Sequence, residues 1–423
     1  MQPQKEQMEI NEDIVIVGAG IAGLATSLAL HRLGLRSLVL ESSDSLRTSG
    51  FALTLWTNAW RALDALGVGD TLRQHSLQFS RFEAFSADSG MPTAEISLEA
   101  NNKPRDYDSR CMKRQEIVET LEKELPPGTI KYSSLVVSIQ DSGLFKLLHL
   151  ADKTVLRTKV LIGCDGVNSV VAKWMGLPKL VDANRSAIRG YVEYSEGHEF
   201  EPKFCAYFGR GVRIGFLPCD DKSLYWFCTF TPSALNYDES IEGSPVKMKQ
   251  FVLSMASNVS KEVYNILQRT SLDSLYCAKL KLRSPLNILM IYNIVKRNTC
   301  LVGDALHPMT PDIGQGGCSA LEDGVVLARC IAETFSKKLP TGMEKLEDDD
   351  FYNRIKVGLE KYAKERRWRI FNLISTSYLV GLAQESNGKV ISYLREKFLA
   401  QFTIETMLRM GDFDCGKLLT YSG

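Results

Sequence analysis

The chain has 423 residues, of which 44% are hydrophobic and 24% are charged, a composition typical of globular proteins that are large enough for several cores. Its 51 basic residues almost balance its 50 acidic residues, so the charge balance gives no indication of a nucleic-acid partner. No apolar run reaches the roughly 18 residues that a membrane span requires, and we expect no integral membrane association.

The ends of the chain and its cysteines favour a cytoplasmic protein. The segment MQPQKEQMEINED at the start is polar and partly acidic, unlike a signal or transit peptide, and KLLTYSG at the end contains no retention signal. The ten cysteines show no C-x-x-C spacing, and several lie inside apolar runs. We therefore expect buried, reduced thiols and neither a disulfide nor a metal site.

The first forty residues predict a β-α-β unit. Ile14 to Val17 is a β-branched apolar run, as expected for a strand buried in a parallel sheet. The glycine turn GAGIAG follows, and a helix is predicted from about Leu24 to Leu33. A second strand, Ser37 to Leu40, ends at Glu41.

The glycine turn of this unit is suited to a dinucleotide. Gly18 permits the tight turn, Gly20 lets the backbone approach a pyrophosphate, and Gly23 lets the helix pack closely on the strand. The helix N-terminus offers unpaired N–H donors to phosphates. Glu41 comes eighteen residues after Gly23, where a carboxylate binds ribose hydroxyls. The unit predicts dinucleotide binding but does not separate FAD from NAD.

The middle of the chain changes from mixed elements to a sheet-rich region. Helices are predicted at about 58–66 and 114–125, and strands at 131–139, 145–150, 155–157 and 160–162. From Ile188 to Phe230 the runs are aromatic and β-branched, with a helical insert near Pro245 to Gln268. A strand at 300–302 and a helix at about 319–335 return to the nucleotide domain. The acidic stretch Glu344 to Asp350 is predicted to be a solvated loop, and the rest is helical.

A second motif, Gly163-Cys-Asp165-Gly166-Val-Asn-Ser169, directly follows a buried strand. It has two interpretations. Asp165 or Ser169 can cap the following helix, or the motif can contribute to a cofactor site.

The third motif, from Leu301 to Asp323, is the most informative. A buried strand delivers Asp304, which can hydrogen-bond a polyol chain, and a loop rich in Pro and Gly follows. Gly314, Gly316 and Gly317 allow the backbone to lie flat against a planar ring. The helix N-terminus beyond them suits a reduced flavin that carries negative charge. His307 is a candidate base, although a structural role is favoured.

In this order and at these separations, the three motifs resemble those of the flavoprotein aromatic hydroxylases, typified by para-hydroxybenzoate hydroxylase and salicylate hydroxylase. The stretch GDALHPMTPDIGQGGCSALEDGVVLARCI is especially similar to plant members related to zeaxanthin epoxidase. The likeness runs from about Asp13 to Arg369. Plant relatives usually have an aromatic residue at Leu286 and an alanine at Gly324, and a carotenoid substrate is not expected because a plastid presequence is absent.

This resemblance implies an α/β fold with a Rossmann-like FAD-binding domain, an inserted sheet-rich substrate domain and a C-terminal helical region. The implied boundaries are 1–183 and 286–340 for the FAD-binding domain, 184–285 for the substrate-binding domain, and 341–423 for the helical region.

The resemblance also implies which residues bind FAD. Gly18, Gly20 and Gly23 hold the pyrophosphate, Arg114 reaches the flavin side, and Asp304 binds the ribityl chain. Asp165 serves both FAD and NAD(P)H, and the backbone of Val136 contacts adenine. The full set of implied cofactor-binding residues is Gly18, Gly20, Ile21, Ala22, Gly23, Glu41, Ser42, Arg47, Ala52, Arg114, Val136, Asp165, Asp304, Pro311, Gly314, Gly316 and Gly317.

The implied activity is that of an FAD-dependent, NAD(P)H-driven monooxygenase. It would insert one oxygen atom from O₂ into a small electron-rich aromatic, heteroaromatic or alkene substrate through a flavin C4a-hydroperoxide, in plant specialised metabolism. No catalytic side chain or metal is expected, because the cofactor performs the chemistry. The partner is a small-molecule substrate, and the protein is expected to be a monomer or weak dimer. The candidate pocket residues are Arg189, Tyr207, Phe216, Tyr225 and Phe227.

Two alternatives stay open at this point. One is an NAD-binding dehydrogenase, against which the Gly303-Asp304 loop argues. The other is a flavin-binding protein with a regulatory or binding role and no turnover.

Overall fold

The structure is a computed structural model that describes residues 9–47, 52–100, 103–104, 107–209, 211–235, 237–257, 259–335, 348–385 and 400–419. Its strands are β1 (Glu9–Val17), β2 (Leu38–Leu40), β3 (Ala52–Leu55), β4 (Arg81–Ser86), β5 (Pro92–Ser97), β6 (Glu99–Ala100), β7 (Lys103–Pro104), β8 (Arg110–Lys113), β9 (Ile130–Lys131), β10 (Val136–Ser142), β11 (Phe145–Leu150), β12 (Val155–Gly163), β13 (Val181–Glu193), β14 (Lys203–Gly209), β15 (Val212–Asp220), β16 (Ser223–Phe230), β17 (Leu275–Leu282), β18 (Val295–Lys296) and β19 (Thr299–Leu301). Its helices are α1 (Ile21–Arg32), α2 (Thr57–Leu66), α3 (Gly69–Arg73), α4 (Arg114–Lys123), α5 (Val170–Met175), α6 (Pro245–Met255), α7 (Lys261–Arg269), α8 (Pro285–Ile288), α9 (Gly316–Phe335), α10 (Asp348–Glu385) and α11 (Ala400–Met410).

The first sheet has five parallel strands in the order β9-β2-β1-β12-β19. Strand β1 pairs with β12 from Glu9, opposite Val155, to Val17, opposite Gly163. Ile14, Val15 and Ile16 are almost inaccessible to solvent because helices cover both faces of the sheet. The antiparallel strands β11 and β10 extend the sheet beside the start of β12. This strand order is that of a Rossmann-like dinucleotide-binding domain.

Helix α9 crosses α1 at very short range. A Cβ atom at Gly324 would lie 2.9 Å from the backbone nitrogen of Thr26, so an alanine there requires the helices to move apart. Thr26 itself turns inward and donates its hydroxyl to the carbonyl oxygen of Ala22 at 2.7 Å. The glycine at this position therefore matches the close contact between the two helices.

The second sheet has seven strands in the order β17-β13-β16-β15-β14-β4-β5. Its outer face packs against α6 and α7 in a separate apolar cluster that contains Trp226, Phe251 and Ile266. The other face looks towards the first sheet. Strands β4 and β5 come from the N-terminal part of the chain, and β4 joins the sheet through parallel pairing with β14. That contribution was not anticipated from the sequence.

The C-terminal region is helical, and α10 packs against both α8 and α9. The prediction of a solvated loop at Glu344 to Asp350 was wrong for its last three residues, because Asp348, Asp349 and Asp350 form the first turn of α10. Acidic side chains stabilise a helix at that end because the helix dipole is positive there. Residues 344–347 lie outside the described residues. With this architecture the predicted fold class is confirmed.

Two further features concern the whole chain. All ten cysteines are free thiols, and nine of them are buried, with Cys277 partly exposed. Among the described residues, no helix combines the length and apolar character needed to cross a membrane.

Replacing Gly190 with alanine is expected to destabilise the second sheet. A Cβ atom at this position would lie 2.2 Å from the ring of Trp226, which is buried and donates its indole N–H to Thr270 at 2.9 Å. Because the ring is held, overpacking should lower the free energy of unfolding by about 1–3 kcal/mol, measured by urea denaturation. The control is Gly243→Ala, where a Cβ atom meets nothing within 4 Å. Equal stability of the two variants would contradict this packing.

Candidate active site

A cavity of about 400 Å³ lies between the first sheet and the inner face of the second. On one side it is bounded by the turn Gly20–Ala22, by residues 52–54 and by parts of the loop from Met309 to Gly317. The second sheet contributes the side chains of Ala187, Arg189, Phe204, Arg213, Tyr225, Phe227 and Thr229. The cavity therefore joins the predicted cofactor loops to an aromatic wall.

The turn after β1 is built on two glycines that no other residue can replace without backbone movement. Gly18 has φ of +103°, and a Cβ atom there would lie 2.6 Å from the carbonyl oxygen of Cys164. A Cβ atom at Gly23 would lie 1.9 Å from the carbonyl oxygen of Gly18. The first turn of α1, whose N-cap Gly20 provides no side-chain cap, presents its N–H groups towards the cavity side of this turn. Such a helix end is a site for phosphate.

Glu41 ends the second strand and is already engaged by four protein donors. Its carboxylate accepts hydrogen bonds from the backbone of Ala19 and Ser43, both at 2.9 Å, and from the side chains of Ser42 and Arg47, both at 3.1 Å. Burial opposes ionisation, but the backbone donors and the Arg47 guanidinium together lower the pKa of Glu41. The Glu41 carboxylate thus links the glycine turn after β1 to the end of β2.

A short ribbon of β3 and β8 brings two predicted flavin-side residues together. Ala52 pairs with Lys113, so it lies beside Arg114 at the start of α4. The Arg114 guanidinium donates to the carbonyl oxygen of Arg47 and lies near Gly20. Burial and the charge of Arg47 lower the pKa of Arg114.

Val136 lies at the opposite end of the nucleotide site, close to Glu41. It is the first residue of β10, and the preceding Ser134 donates its backbone N–H to the carbonyl oxygen of Glu41 at 2.7 Å. Val136 therefore lies near Glu41, and its contact with adenine stays a prediction.

Asp165 and Ser169 form a local cap. The Ser169 hydroxyl accepts from the backbone of Ala172 at 2.8 Å and donates to Asp165, which also accepts from the backbone of Val170 at 2.7 Å. Burial raises the pKa of Asp165. Capping, one of the two interpretations of this motif, is therefore present in the structure. Gly166 lines the cavity and Asp165 does not.

Asp304 has a different environment, because its side chain opens into the cavity. In the described part of the chain, no residue forms a hydrogen bond or ion pair with its carboxylate. Burial raises the pKa of Asp304, with His307 and Arg189 acting in the opposite direction. A carboxylate that is accessible from the cavity and has unused acceptors suits a ligand that carries several hydroxyls.

His307 is held away from the cavity in a buried ionic network. Its Nε2 atom lies 2.6 Å from Oδ2 of Asp323, which also accepts the backbone N–H of Gly303 at 3.0 Å. Oδ1 of Asp323 accepts from Arg366 of α10 at 2.7 Å. Burial opposes ionisation, but Arg366 and His307 lower the pKa of Asp323. This arrangement gives His307 a structural role.

The loop between Asp304 and α9 is fixed by a second buried ion pair. Arg185 of β13 donates to both carboxylate oxygens of Asp312, at 2.8 and 2.9 Å, and Arg213 donates to its carbonyl oxygen at 3.0 Å. Gly381 of α10 leaves room for this pair, since a Cβ atom there would lie 2.2 Å from Arg185. The loop is thereby held by both the sheet and the C-terminal helix.

The glycines of this loop line the cavity, but a Cβ atom at Gly317 would lie 2.4 Å from the side chain of Leu53. A Cβ atom at Gly316 would meet nothing within 4 Å, and Gly314 has φ of +62° and accepts the indole N–H of Trp56 at 3.1 Å. Pro311 and Gly317 line the cavity with them.

The structure brings three of the five predicted pocket residues to the cavity and places two elsewhere. Arg189, Tyr225 and Phe227 line it. Tyr207 and Phe216 point to the outer face, into the cluster under α6 and α7, and this corrects their proposed place in the pocket. The reason is the strand register. Phe216 lies opposite Trp226 and therefore shares its outer face, whereas Tyr225 and Phe227 point to the inner face.

Several lining residues were missed from the sequence. Phe204, Arg213 and Thr229 could have been found from strand alternation, because Thr229 is two residues after Phe227 and Arg213 pairs with Thr229. No strand alternation marks Trp56 and Met407, because they reach the cavity from segments next to or within helices that are far from the second sheet in the chain.

The sequence profile of a family described as "FAD binding domain" matches residues 11–242, more than half of the chain. The chain belongs to the FAD-dependent aromatic hydroxylase family of monooxygenases.

Two plant proteins are similar to this chain over almost its whole length. "Monooxygenase 2" of Arabidopsis thaliana is 46% identical over 97% of this chain and 99% of its own length. "Monooxygenase 1" of the same plant is 36% identical over 96% of this chain and 99% of its own length.

Two solved structures share the fold. Klebsiella pneumoniae HpxO, complexed with FAD and uric acid, aligns with a TM-score of 0.77 at 20% identity, covering 97% of this chain and 98% of the other. A salicylate hydroxylase in complex with its substrate aligns with a TM-score of 0.71 at 20% identity, covering 97% and 96%. The predictions of the family, of FAD as cofactor and of an FAD-dependent monooxygenase are confirmed.

Replacing Asp312 with asparagine should destabilise the protein strongly. The change removes the countercharge of Arg185, whose side chain is only 5% exposed. An uncompensated buried guanidinium is expected to cost about 3–5 kcal/mol in the free energy of unfolding, which guanidinium chloride denaturation of the FAD-loaded protein would measure. Asp273→Asn is the control, because Asp273 is exposed. If Asp312→Asn unfolds at the same guanidinium chloride concentration as the wild type, the ion pair between Asp312 and Arg185 is not intact in solution.

Proposed function

We propose that this protein uses NADPH or NADH to reduce FAD and inserts one oxygen atom from O₂ into a small electron-rich substrate. The substrate would be aromatic, heteroaromatic or an alkene, within plant specialised metabolism. The observation that supports this most directly is the single cavity that joins the cofactor loops to Phe204, Tyr225 and Phe227. The two Arabidopsis relatives, both named monooxygenases, support the reaction class.

The residues around the cavity fit FAD. We propose that the turn at Gly18, Gly20, Ile21, Ala22 and Gly23 binds the pyrophosphate. The N-terminus of α1 offers N–H donors there, and Gly20 places no side chain between the backbone and the cavity. Asp304 would accept hydrogen bonds from the hydroxyls of the ribityl chain, because its carboxylate oxygens have no other donor in the described chain.

The two edges of the cofactor would be bound by different segments. On the flavin side we propose Arg47, Ala52, Arg114, Pro311, Gly314, Gly316 and Gly317. On the adenosine side we propose Glu41, Ser42 and Val136, with Asp165 near the middle. A ribose hydroxyl at Glu41 would take the place of the Arg47 guanidinium, which is 61% exposed and the most easily displaced of its four donors.

Bound FAD supplies the redox chemistry, and the chain supplies orientation and exclusion of water. The loop from Pro311 to Gly317, held by Asp312, would fix the plane of the ring. Phe204, Tyr225 and Phe227 would hold an apolar substrate against it and keep water out. No side chain is proposed as a proton donor or nucleophile.

A flavin-binding protein without turnover was the alternative from the sequence, and the cytoplasmic location and the monomeric or weakly dimeric state stay predictions. No observation on the described residues favours the non-enzymatic role.

The proposed reaction is tested by the rate at which NADPH bleaches the bound flavin without oxygen. The panel of added compounds should include phenols, indoles, phenolic acids and isoprenoids. We expect slow bleaching alone and a large acceleration by one class, followed by incorporation of labelled oxygen from ¹⁸O₂ into the product. Uniformly slow bleaching in the presence of every class would contradict turnover while leaving FAD binding intact.

Replacing Asp304 with alanine should weaken FAD binding. Loss of charge-assisted hydrogen bonds to a hydroxyl chain corresponds to about a 10- to 100-fold higher dissociation constant, measured by flavin fluorescence on protein whose fold is checked by circular dichroism. The control Asp273→Ala removes an exposed carboxylate outside the cavity. Full retention of FAD by Asp304→Ala would overturn the role given to this loop.

A further inference from the structure

Two cysteines from distant parts of the chain meet in the protein interior. The Sγ atoms of Cys111 and Cys219 are 3.2 Å apart, although the two residues are 108 positions apart in the sequence. Both side chains are almost inaccessible to solvent and belong to the main apolar cluster of the protein. Both are free thiols, so two sulfur atoms lie in close contact without a bond between them.

The contact joins the ribbon of β3 and β8 to the second sheet. Cys111 lies in β8, whose last residue, Lys113, directly precedes the cavity residue Arg114. Cys219 lies in β15 of the second sheet. A second link is formed nearby, because Nζ of Lys113 lies 2.6 Å from Oδ2 of Asp220. The two thiols therefore face each other across a contact that an ion pair already holds in alignment.

The thiol pair lies behind the wall of the cavity. Cys219 and Leu217 both belong to the main apolar cluster and not to the cluster under α6 and α7. Leu217 pairs with Tyr225 on β16, and Tyr225 lines the cavity. Burial raises the pKa of Tyr225 to about 12, and the nearby Cys111 and Cys219 act in the same direction. Neither thiol lines the cavity itself.

The separation of the sulfur atoms is suited to disulfide formation. A disulfide bond is about 2.05 Å long, so the sulfur atoms have to approach by only about 1 Å from their present separation. Burial and the neighbouring Cys219 raise the pKa of the Cys111 thiol well above its usual range, so oxidation is slow. Because the pair is enclosed, the oxidant has to be small and uncharged. Hydrogen peroxide meets both requirements.

We propose that Cys111 and Cys219 form a modification site, at which hydrogen peroxide produces a disulfide that holds the ribbon of β3 and β8 against the second sheet. The O–O bond of the peroxide breaks as one sulfur becomes a sulfenic acid, and one water is released. The other sulfur then forms the S–S bond and displaces the hydroxyl group, which leaves as a second water. Two thiols are thus oxidised by two electrons, and one peroxide is reduced.

The disulfide should also affect the cofactor. Arg114 follows β8 directly and lies on the flavin side of the proposed FAD site, so this consequence rests on the proposed function, whereas formation of the bond does not. A ribbon that is covalently attached to the second sheet separates from it less readily. We therefore expect FAD to leave the oxidised protein more slowly than the reduced protein.

The test of the bond is peptide mass spectrometry of the FAD-loaded protein after exposure to hydrogen peroxide, with free thiols alkylated before digestion. We expect joined peptides that contain Cys111 and Cys219, and their separation by dithiothreitol. The oxidised protein should unfold at a higher urea concentration, because the bond links positions 108 residues apart in the unfolded chain. Absence of the joined peptides from the treated protein would overturn the proposal.

The matched variants are Cys111→Ala and Cys219→Ala, which each leave one thiol of the pair. Both should lose the joined peptides and the increase in urea midpoint on treatment with peroxide, and one variant is sufficient if the other does not fold. Cys277→Ala is the control, because Cys277 is partly exposed and lies on β17, and it should behave as the wild type. An increase in midpoint that persists in a folded Cys111→Ala or Cys219→Ala would overturn the proposal.

The rate of FAD release is measured by the increase in flavin fluorescence after dilution. It should be lower in the peroxide-treated wild type and return to the original value after dithiothreitol. Formation of the bond without a change in this rate would overturn the role of the bond in holding the ribbon. Since none of these measurements involves NADPH or a substrate, this site and the proposed turnover can fail independently.

Discussion

The carboxylate of Asp323 connects the loop that contains Gly303 and His307 with the C-terminal helix α10. It accepts the backbone N–H of Gly303, approaches the ring of His307 and pairs with Arg366 of the C-terminal helix. Gly303 has φ of +61°, and its N–H hydrogen bond to Asp323 holds that turn in place. The following residue, Asp304, is thereby directed into the cavity. The neighbouring Glu322 pairs with Arg366 at 2.7 Å and with Arg369 at 2.8 Å. A buried set of charges is stable only when all its members are present, so the C-terminal helix is part of the cofactor site even though Arg366 lines no part of it.

The cavity exists because the two sheets have different surroundings. The outer face of the second sheet is covered by its own helices, which bury Trp226 and Phe216. Its inner face has aromatic and cationic side chains and meets the first sheet only around the loops that end the parallel strands. Ligands of open α/β sheets bind at the carboxyl ends of the strands, and here the end of β1 meets the cavity through Gly20 and the end of β19 through Asp304. The second sheet closes this edge, and under the proposed function the same cavity would hold both cofactor and substrate.

The two carboxylates assigned to the cofactor differ in how the protein treats them. Glu41 has four donors and a lowered pKa, and it organises the phosphate turn whatever else is bound. Asp304 has no hydrogen-bond partner in the described chain and a raised pKa, and its side chain is accessible from the cavity. The first carboxylate therefore supports the fold of the nucleotide domain, and the second is available for binding.

The sequence by itself determined the β-α-β unit, since apolar runs on both sides of the glycine turn identify the parallel strands without knowledge of the rest. Gly23 is required locally by its contact with the carbonyl oxygen of Gly18, whereas the close approach of Gly18 to Cys164 depends on strand pairing. The family followed from three such local motifs. Which face each strand of the second sheet presents was decided only by tertiary structure, because register between distant strands puts Phe216 opposite Trp226 and away from the cavity. The pairing of Asp312 with Arg185 and the addition of β4 and β5 likewise depend on segments more than a hundred residues apart. No local pattern specifies such contacts, because they form only when packing brings those segments together.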